Sequence, residues 1–301
     1  LGSVTPRGGG RAASVRSVGA LQTGVYDVEW VVDAGAAICE DEVILGDRCV
    51  VVADGTSGFG DRSFIDGESD GRWYARRVAA TFVERLDDGA DLRTACADTI
   101  QETGLALAAH VPGDADRSVR TAVAAHELPN AKVAAARWSE SGLSYLVLGD
   151  VSAAFVDPAG HVSTPGALDR VDARTARIRA ELLDRDVDQT TVRKHQLSHI
   201  RSTRAHCNVP GGYWVARLNP LAAEFAETGE QTVNDGPLLL YTDGFDPLVA
   251  SLGVFDDPPS MARYAAAEGP AALLTRLREA EAGSDARLHA PDDASAALVR
   301  R

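Results

Sequence analysis

Lysine is almost missing from this chain of 301 residues: Lys132 and Lys194 are the only two, and the rest of its 30 basic side chains are arginines. That bias reads as genomic rather than functional. An excess of positive charge is missing as well. With 30 basic and 44 acidic side chains the formal charge is −14, which excludes a general binder of nucleic acid or of anionic membrane, since both depend on clustered cations. No run of 18 apolar residues occurs, and the N-terminal residues lack the basic-then-apolar order of a signal peptide, so no segment is expected to span or anchor to a membrane. Cysteine is sparse. Cys39, Cys49, Cys96 and Cys207 show no CxxC spacing, which leaves neither a zinc ribbon nor a disulfide framework and points to reduced thiols in a cytoplasm.

What is present is the composition of an ordinary globule, 45% apolar and 25% charged, on a chain long enough to bury a substantial core. Residues 1–19, LGSVTPRGGGRAASVRSVG, are rich in Gly, Ser and Arg and carry no initiator Met; they are expected to be a disordered leader or a cloning remnant. One domain is expected over 20–301. Apolar or alternating runs predict strands at 24–33, 42–45, 49–54, 132–138, 143–148, 153–156, 212–218, 237–241 and 294–300. Helical periodicity falls at 71–86, 91–109, 172–183, 220–227 and 265–282. Short turn signals such as Gly46-Asp47 join neighbouring strands as antiparallel hairpins, so the order fits an α+β arrangement of antiparallel sheets covered by helices rather than a doubly wound parallel sheet. The polar stretch 184–207 reads as a mobile or accessory segment.

Three apolar runs end in the same way. Val50-Val51-Val52-Ala53 leads into Asp54-Gly55, Leu146-Val147-Leu148 into Gly149-Asp150, and Leu238-Leu239-Leu240-Tyr241 into Thr242-Asp243-Gly244. A strand covered on both faces reads as a continuous apolar run, and its end is where a charged group reaches solvent. Glu40-Asp41 precedes the short strand that hairpins into Asp54, and Asp292-Asp293 precedes the last strand. Taken singly, each is a turn or cap residue. Brought together, they would repel one another and raise each other's pKa, a cost that a bound divalent cation reverses; all-oxygen ligation selects Mg²⁺ or Mn²⁺ over zinc.

The ordered set CED at 39–41, VVADGTSG at 51–58, LGDVSAAF at 148–155, LLLYTDGF at 238–245 and DDAS at 292–295 resembles the metal-dependent serine/threonine protein phosphatases of type 2C, over about residues 24–301. The resemblance implies a four-layer α-β-β-α sandwich with a site for two metal ions at one end of two antiparallel sheets. By that resemblance Asp54 bridges two ions, Glu40 and the Gly55 carbonyl complete the second, and Asp243 and Asp292 hold the first. Asp41 orients metal-bound water, and Asp150 joins Asp243 at a third, weaker position. A water activated by the ions attacks phosphorus without a protein nucleophile. The implied partner is a phosphoprotein or a small phosphorylated substrate.

The chain departs from the pattern in ways that bear on substrate. Ala36 stands where the family often has a phosphate-clamping arginine, and Arg62 or Arg72 is the expected replacement. Thr56 stands where some relatives carry a histidine proposed as general acid, and Cys39 replaces a usual asparagine. The connection from 56 to 72, TSGFGDRSFIDGESDGR, is long and acidic. Three functions remain open: a protein phosphoserine/phosphothreonine phosphatase, a phosphatase or related metal-assisted enzyme for a small metabolite, and a catalytically silent binding module; retention of the carboxylates weighs against the last. His195 and His199, four residues apart and near His206 and Cys207, raise a zinc reading that their polar surroundings disfavour. Trp214 is assigned to packing rather than to stacking on a ligand.

Overall fold

Two antiparallel sheets carry the chain in the computed structural model. The first runs β1 (Arg16–Gln22), β2 (Asp27–Asp33), β11 (Ala294–Arg300), β10 (Leu238–Tyr241), β7 (Ser152–Phe155), β8 (Gly160–Ser163) in spatial order. The second runs β3 (Glu42–Leu45), β4 (Cys49–Thr56), β5 (Asn130–Ser139), β6 (Gly142–Leu148), β9 (Glu227–Thr232). The structure describes residues 16–22, 25–35, 37–60, 62–111, 124–157, 160–163, 187–232, 234–284 and 291–301, with isolated positions between 174 and 185.

Side-chain alternation along the strands explains the layers. On β4, Cys49, Val51 and Ala53 pack beneath α1 (Asp70–Asp87) and α2 (Leu92–Ala108), whereas Val50 and Val52 face the other sheet. Ala134 and Ala136 of β5 and Leu238 and Leu240 of β10 fill the same inter-sheet layer. Leu239 and Tyr241 point outward, onto α4 (Pro247–Ala250), α5 (Pro258–Glu268) and α6 (Pro270–Gly283), which contribute Leu248, Met261, Ala265, Leu273 and Leu277. The result is the α-β-β-α sandwich that the motifs implied. Burying each Val or Leu of these rows contributes about 1.5–3 kcal/mol, so each interior layer is a major source of stability.

The helices begin where side chains satisfy their free N–H groups. Ser69 Oγ accepts from Arg72 N, Asp91 accepts from Arg93 N and Thr94 N, and Asp257 forms a capping box with Ser260. Asp70, buried in the first turn of α1, also accepts from the backbone N–H of Phe64 and Ile65, which ties the 62–65 connection to the helix.

Several expectations are corrected. The leader drawn to residue 19 runs into a strand: Arg16–Gln22 pairs with β2 along its whole length, with Val18 exposed as an edge-strand residue. The strand expected at 212–218 is a segment with only isolated bridges, Cys207 to Tyr213 and Ala131 to Ala216. The helix expected at 220–227 is a 3₁₀ turn over Pro220–Phe225 followed by the polar edge strand β9. The helix expected at 265–282 breaks into α5 and α6, because Gly269 adopts φ +87° and Pro270 starts a new first turn. The polar stretch 184–207 contains a helix, α3 (Gln189–Thr203), capped by Asp188. The helix expected at 172–183 falls largely outside the described residues. No helix among the described residues is long and apolar enough to cross a membrane.

Candidate metal centre

The inter-sheet row of β4 continues Val50, Val52, Asp54, so the carboxylate enters where apolar packing gives way. Asp54 is opposite Lys132 of β5 in register, and both side chains therefore share that face. Asp150 follows β6, Asp243 begins a 3₁₀ turn directly after β10, and Asp292 precedes β11. These ends converge. Asp54, Asp150 and Asp243 each offer a carboxylate oxygen within 4.8 Å of the others. All seven residues expected to hold metal, Glu40, Asp41, Asp54, Gly55, Asp150, Asp243 and Asp292, line one cleft of roughly 320 Å³.

A backbone knot fixes the rim. Glu40 Oε2 accepts from Ser57 N at 2.9 Å and Oε1 accepts from Ser57 Oγ, while Ser57 Oγ accepts from Gly71 N at 3.0 Å. The Glu40 N–H donates to Asp293 Oδ2 at 2.7 Å, and Gly35 N donates to the other Asp293 oxygen at 2.9 Å. Glycine is required at 55 by this closeness: a Cβ there would lie 2.5 Å from both the Glu40 and the Gly71 carbonyl oxygens. Asp41 accepts from Thr242 Oγ1 at 2.8 Å. Asp293, not singled out from the sequence as a site residue, thus positions the Glu40 backbone.

The electrostatics are those of a cluster short of positive charge. Burial, reinforced by Asp54, raises Asp41 well above the carboxylate range. Burial pushes Asp54 up to about 7, with Lys132 opposing and Asp150 adding to the rise. Burial and the Asp54 and Asp150 charges raise Asp243 well above its ordinary value. Asp150 Oδ1 is buried with no hydrogen-bond donor among the described residues. A convergent all-oxygen donor set with an unsatisfied buried oxygen fits a hard divalent cation.

No family model matches the chain, and no curated protein matches it. Solved structures do. The catalytic domain of serine/threonine protein phosphatase PstP, in complex with two manganese ions, is 16% identical with a TM-score of 0.53, covering 92% of this chain and 98% of that one. The serine/threonine phosphatase Stp1 from Staphylococcus aureus is 12% identical with a TM-score of 0.53, covering 91% and 94%. PppA, described as a regulatory component of the T6SS in Pseudomonas aeruginosa, is 16% identical with a TM-score of 0.54, covering 92% and 98%. The fold is that of the bacterial serine/threonine phosphatases.

Within this phosphatase fold the two arginines expected to replace the clamp are elsewhere. Arg62 and Arg72 are exposed and do not line the cleft; Arg72, on the outer side of α1, lends its charge to Glu42 instead. Ala36 lies outside the described residues. Sequence reasoning missed two cations that do line the cleft, Lys132 and Arg204. Lys132 was legible as one of two lysines, set in the apolar run AKVAAA on a row that faces inward. Arg204 follows α3, in the segment read as accessory. Only 5% exposed, it donates to the Leu128 carbonyl at 3.3 Å and stacks 4.8 Å over the Phe59 ring. Thr56 Oγ1 accepts from Lys132 Nζ at 2.9 Å. Trp214 stacks flat on Phe225 at 3.8 Å, a packing contact as expected. No disulfide joins the four cysteines. Among the described residues, the acidic trio is the one cluster of three potential metal-ligating groups, so His195 and His199 gain no third ligand.

Proposed function

We propose that the chain is a metal-dependent phosphatase for phosphate monoesters, with phosphoserine or phosphothreonine of a protein as the substrate class. The observation that carries the reading is the convergence of Asp54, Asp150 and Asp243 at the base of a cleft in this fold. Asp54, Asp243 and Asp292 would hold Mg²⁺ or Mn²⁺, and Glu40 and Gly55 line the same cleft. A bound divalent cation supplies charge that polarises a phosphoryl group and makes water a competent nucleophile near neutral pH.

The chain's own groups do the rest. Among the described residues Arg204 has no carboxylate hydrogen-bond partner, and its guanidinium is desolvated at the cleft wall, where a planar fork suits two phosphate oxygens. It takes the place of the clamp absent at Ala36. Asp41, held by Thr242, accepts a proton or hydrogen bond beside Asp54. Thr203 and Ile200 of α3 line the same cleft as Arg204, so α3 and the turn after it shape which ester enters. That wall also favours a second reading, in which a small phosphorylated metabolite fills the roughly 320 Å³.

The test is a metal-dependent activity screen over phosphopeptides, phosphorylated metabolites and an aryl phosphate. Asp54→Asn and Asp243→Asn are expected to reduce Mn²⁺-dependent turnover by more than the roughly 10–100-fold that loss of a supporting partner costs. Unchanged turnover in both variants would remove the metal assignment, and rapid action on one metabolite with slow action on phosphopeptides would move the substrate to the second reading.

A further inference from the structure

The cation already inside the acidic cluster is Lys132. Its Nζ lies 2.8 Å from Asp54 Oδ2, 2.9 Å from Thr56 Oγ1 and 3.7 Å from Asp150 Oδ1. Asp54 and Thr56 accept hydrogen bonds from the ammonium, and Asp150 faces its charge from just beyond hydrogen-bond range. The stem is seated as well. Gly149 adopts φ +98°, and a Cβ on it would stand 2.5 Å from both Cβ and Cγ of Lys132, so the strand opposite is cut back where the lysine passes. The residue is only 9% exposed and is part of the sheet's inter-sheet row, in register with Asp54, so its reach to this point is set by backbone pairing.

A metal ion and this ammonium want the same oxygens. Mg²⁺ requires about 2.0–2.1 Å from a carboxylate oxygen, a distance inside the space an ammonium at hydrogen-bond range already fills. The position between Asp54 Oδ2 and Asp150 Oδ1 therefore holds either the Lys132 ammonium or an ion, not both. One positive charge does not neutralise the cleft, which seven carboxylates line against two cationic side chains. Among the described residues the ammonium forms no ion pair with Asp243 or Asp292, which line the same cleft and are left for a divalent ion.

Building on the proposed metal-dependent function, we propose that Lys132 is a resident cation that replaces one divalent ion of the centre, so that the chain binds a single Mn²⁺ with Lys132 holding the Asp54–Asp150 side. The lysine then contributes a fixed charge and N–H donors to a centre in a fold whose PstP example is described in complex with two manganese ions. It also makes the empty centre less dependent on metal for its stability.

The experiment counts Mn²⁺ by calorimetry and by electron paramagnetic resonance of bound ion, on the full chain as wild type, Lys132→Met, Lys132→Thr and Lys132→Arg. Thermal melts in chelator and, separately, in excess Mn²⁺ confirm that each variant folds. Expected are one ion for wild type and Lys132→Arg, a second ion in at least one of the neutral variants, and a larger Mn²⁺-induced rise in melting temperature for those variants. Two ions in wild type would overturn the inference while leaving the metal reading intact. One ion in every variant would also overturn it. No ion in any of the four would instead overturn the metal reading, and the inference with it.

Discussion

Arg278 of α6 is the support on which the Asp292 end of the centre rests, and its removal has a calculable cost. Its Nε donates to Asp33 Oδ2 at 2.9 Å, one terminal nitrogen donates to Glu281 at 2.8 Å, and the other donates to the Asp292 carbonyl at 2.8 Å. Asp33 is 1% exposed and Glu281 8%. Arg278→Met keeps most of the stem's packing but leaves two buried carboxylates without their guanidinium. Breaking a buried pair from one side costs about 3–5 kcal/mol, because the remaining charge stays desolvated. Urea unfolding in chelator is expected to show that loss. Asp33→Asn/Arg278→Met should be more stable than Arg278→Met alone, since the neutral amide no longer demands a cation, giving a coupling of roughly 1–3 kcal/mol. A loss under about 1 kcal/mol for Arg278→Met, or strictly additive single effects, would refute the idea that this ion pair holds the β11 entry in place.

Gly55→Ala drives a methyl into the Glu40 and Gly71 carbonyls and is expected to destabilise by at least the roughly 1–3 kcal/mol of core overpacking, read as a lower urea midpoint; an unchanged midpoint would show that the rim yields freely. Asp54, raised from 3.8 to about 7, makes a contribution to metal-free stability that is complete below about pH 4 and lost as pH rises to about 7, on the order of 4 kcal/mol. In chelator the wild type should therefore lose stability relative to Asp54→Asn between about pH 4 and 7, and a constant difference across that interval would contradict the assignment. Arg204→Met should raise KM for an aryl phosphate with Mn²⁺ affinity unchanged, whereas loss of both together would mean that Arg204 serves the fold and not the substrate.

The parts of this fold legible in the sequence were those whose burial is two-sided or strictly alternating. Val50–Ala53 and Leu238–Tyr241 are covered by a helix layer and by the opposite sheet, so their composition alone marks them as strands, and the carboxylates at their ends could be grouped before any coordinates. Edge strands carry no such mark. Arg16–Gln22 and the polar Glu227–Thr232 are strands by virtue of the partner they add to; residues 16–19 read as leader, Glu227 as the end of a helix, and 228–232 carry no strand pattern. The same applies to Arg204: its place at the cleft depends on α3 packing near Phe59, where Arg201 Nε donates to the Phe59 carbonyl, a contact 142 residues apart in sequence. Lys132 was visible but was attributed to composition, because nothing in the run AKVAAA says that Asp54 stands opposite.

A Mn²⁺-soaked crystal measured at the manganese absorption edge tests the central claim most directly. An anomalous peak in contact with Asp54 and Asp243 is expected. A soak at saturating Mn²⁺ with no peak there, and with the carboxylates bonded only to Lys132, Thr242 and water, would contradict the metal assignment.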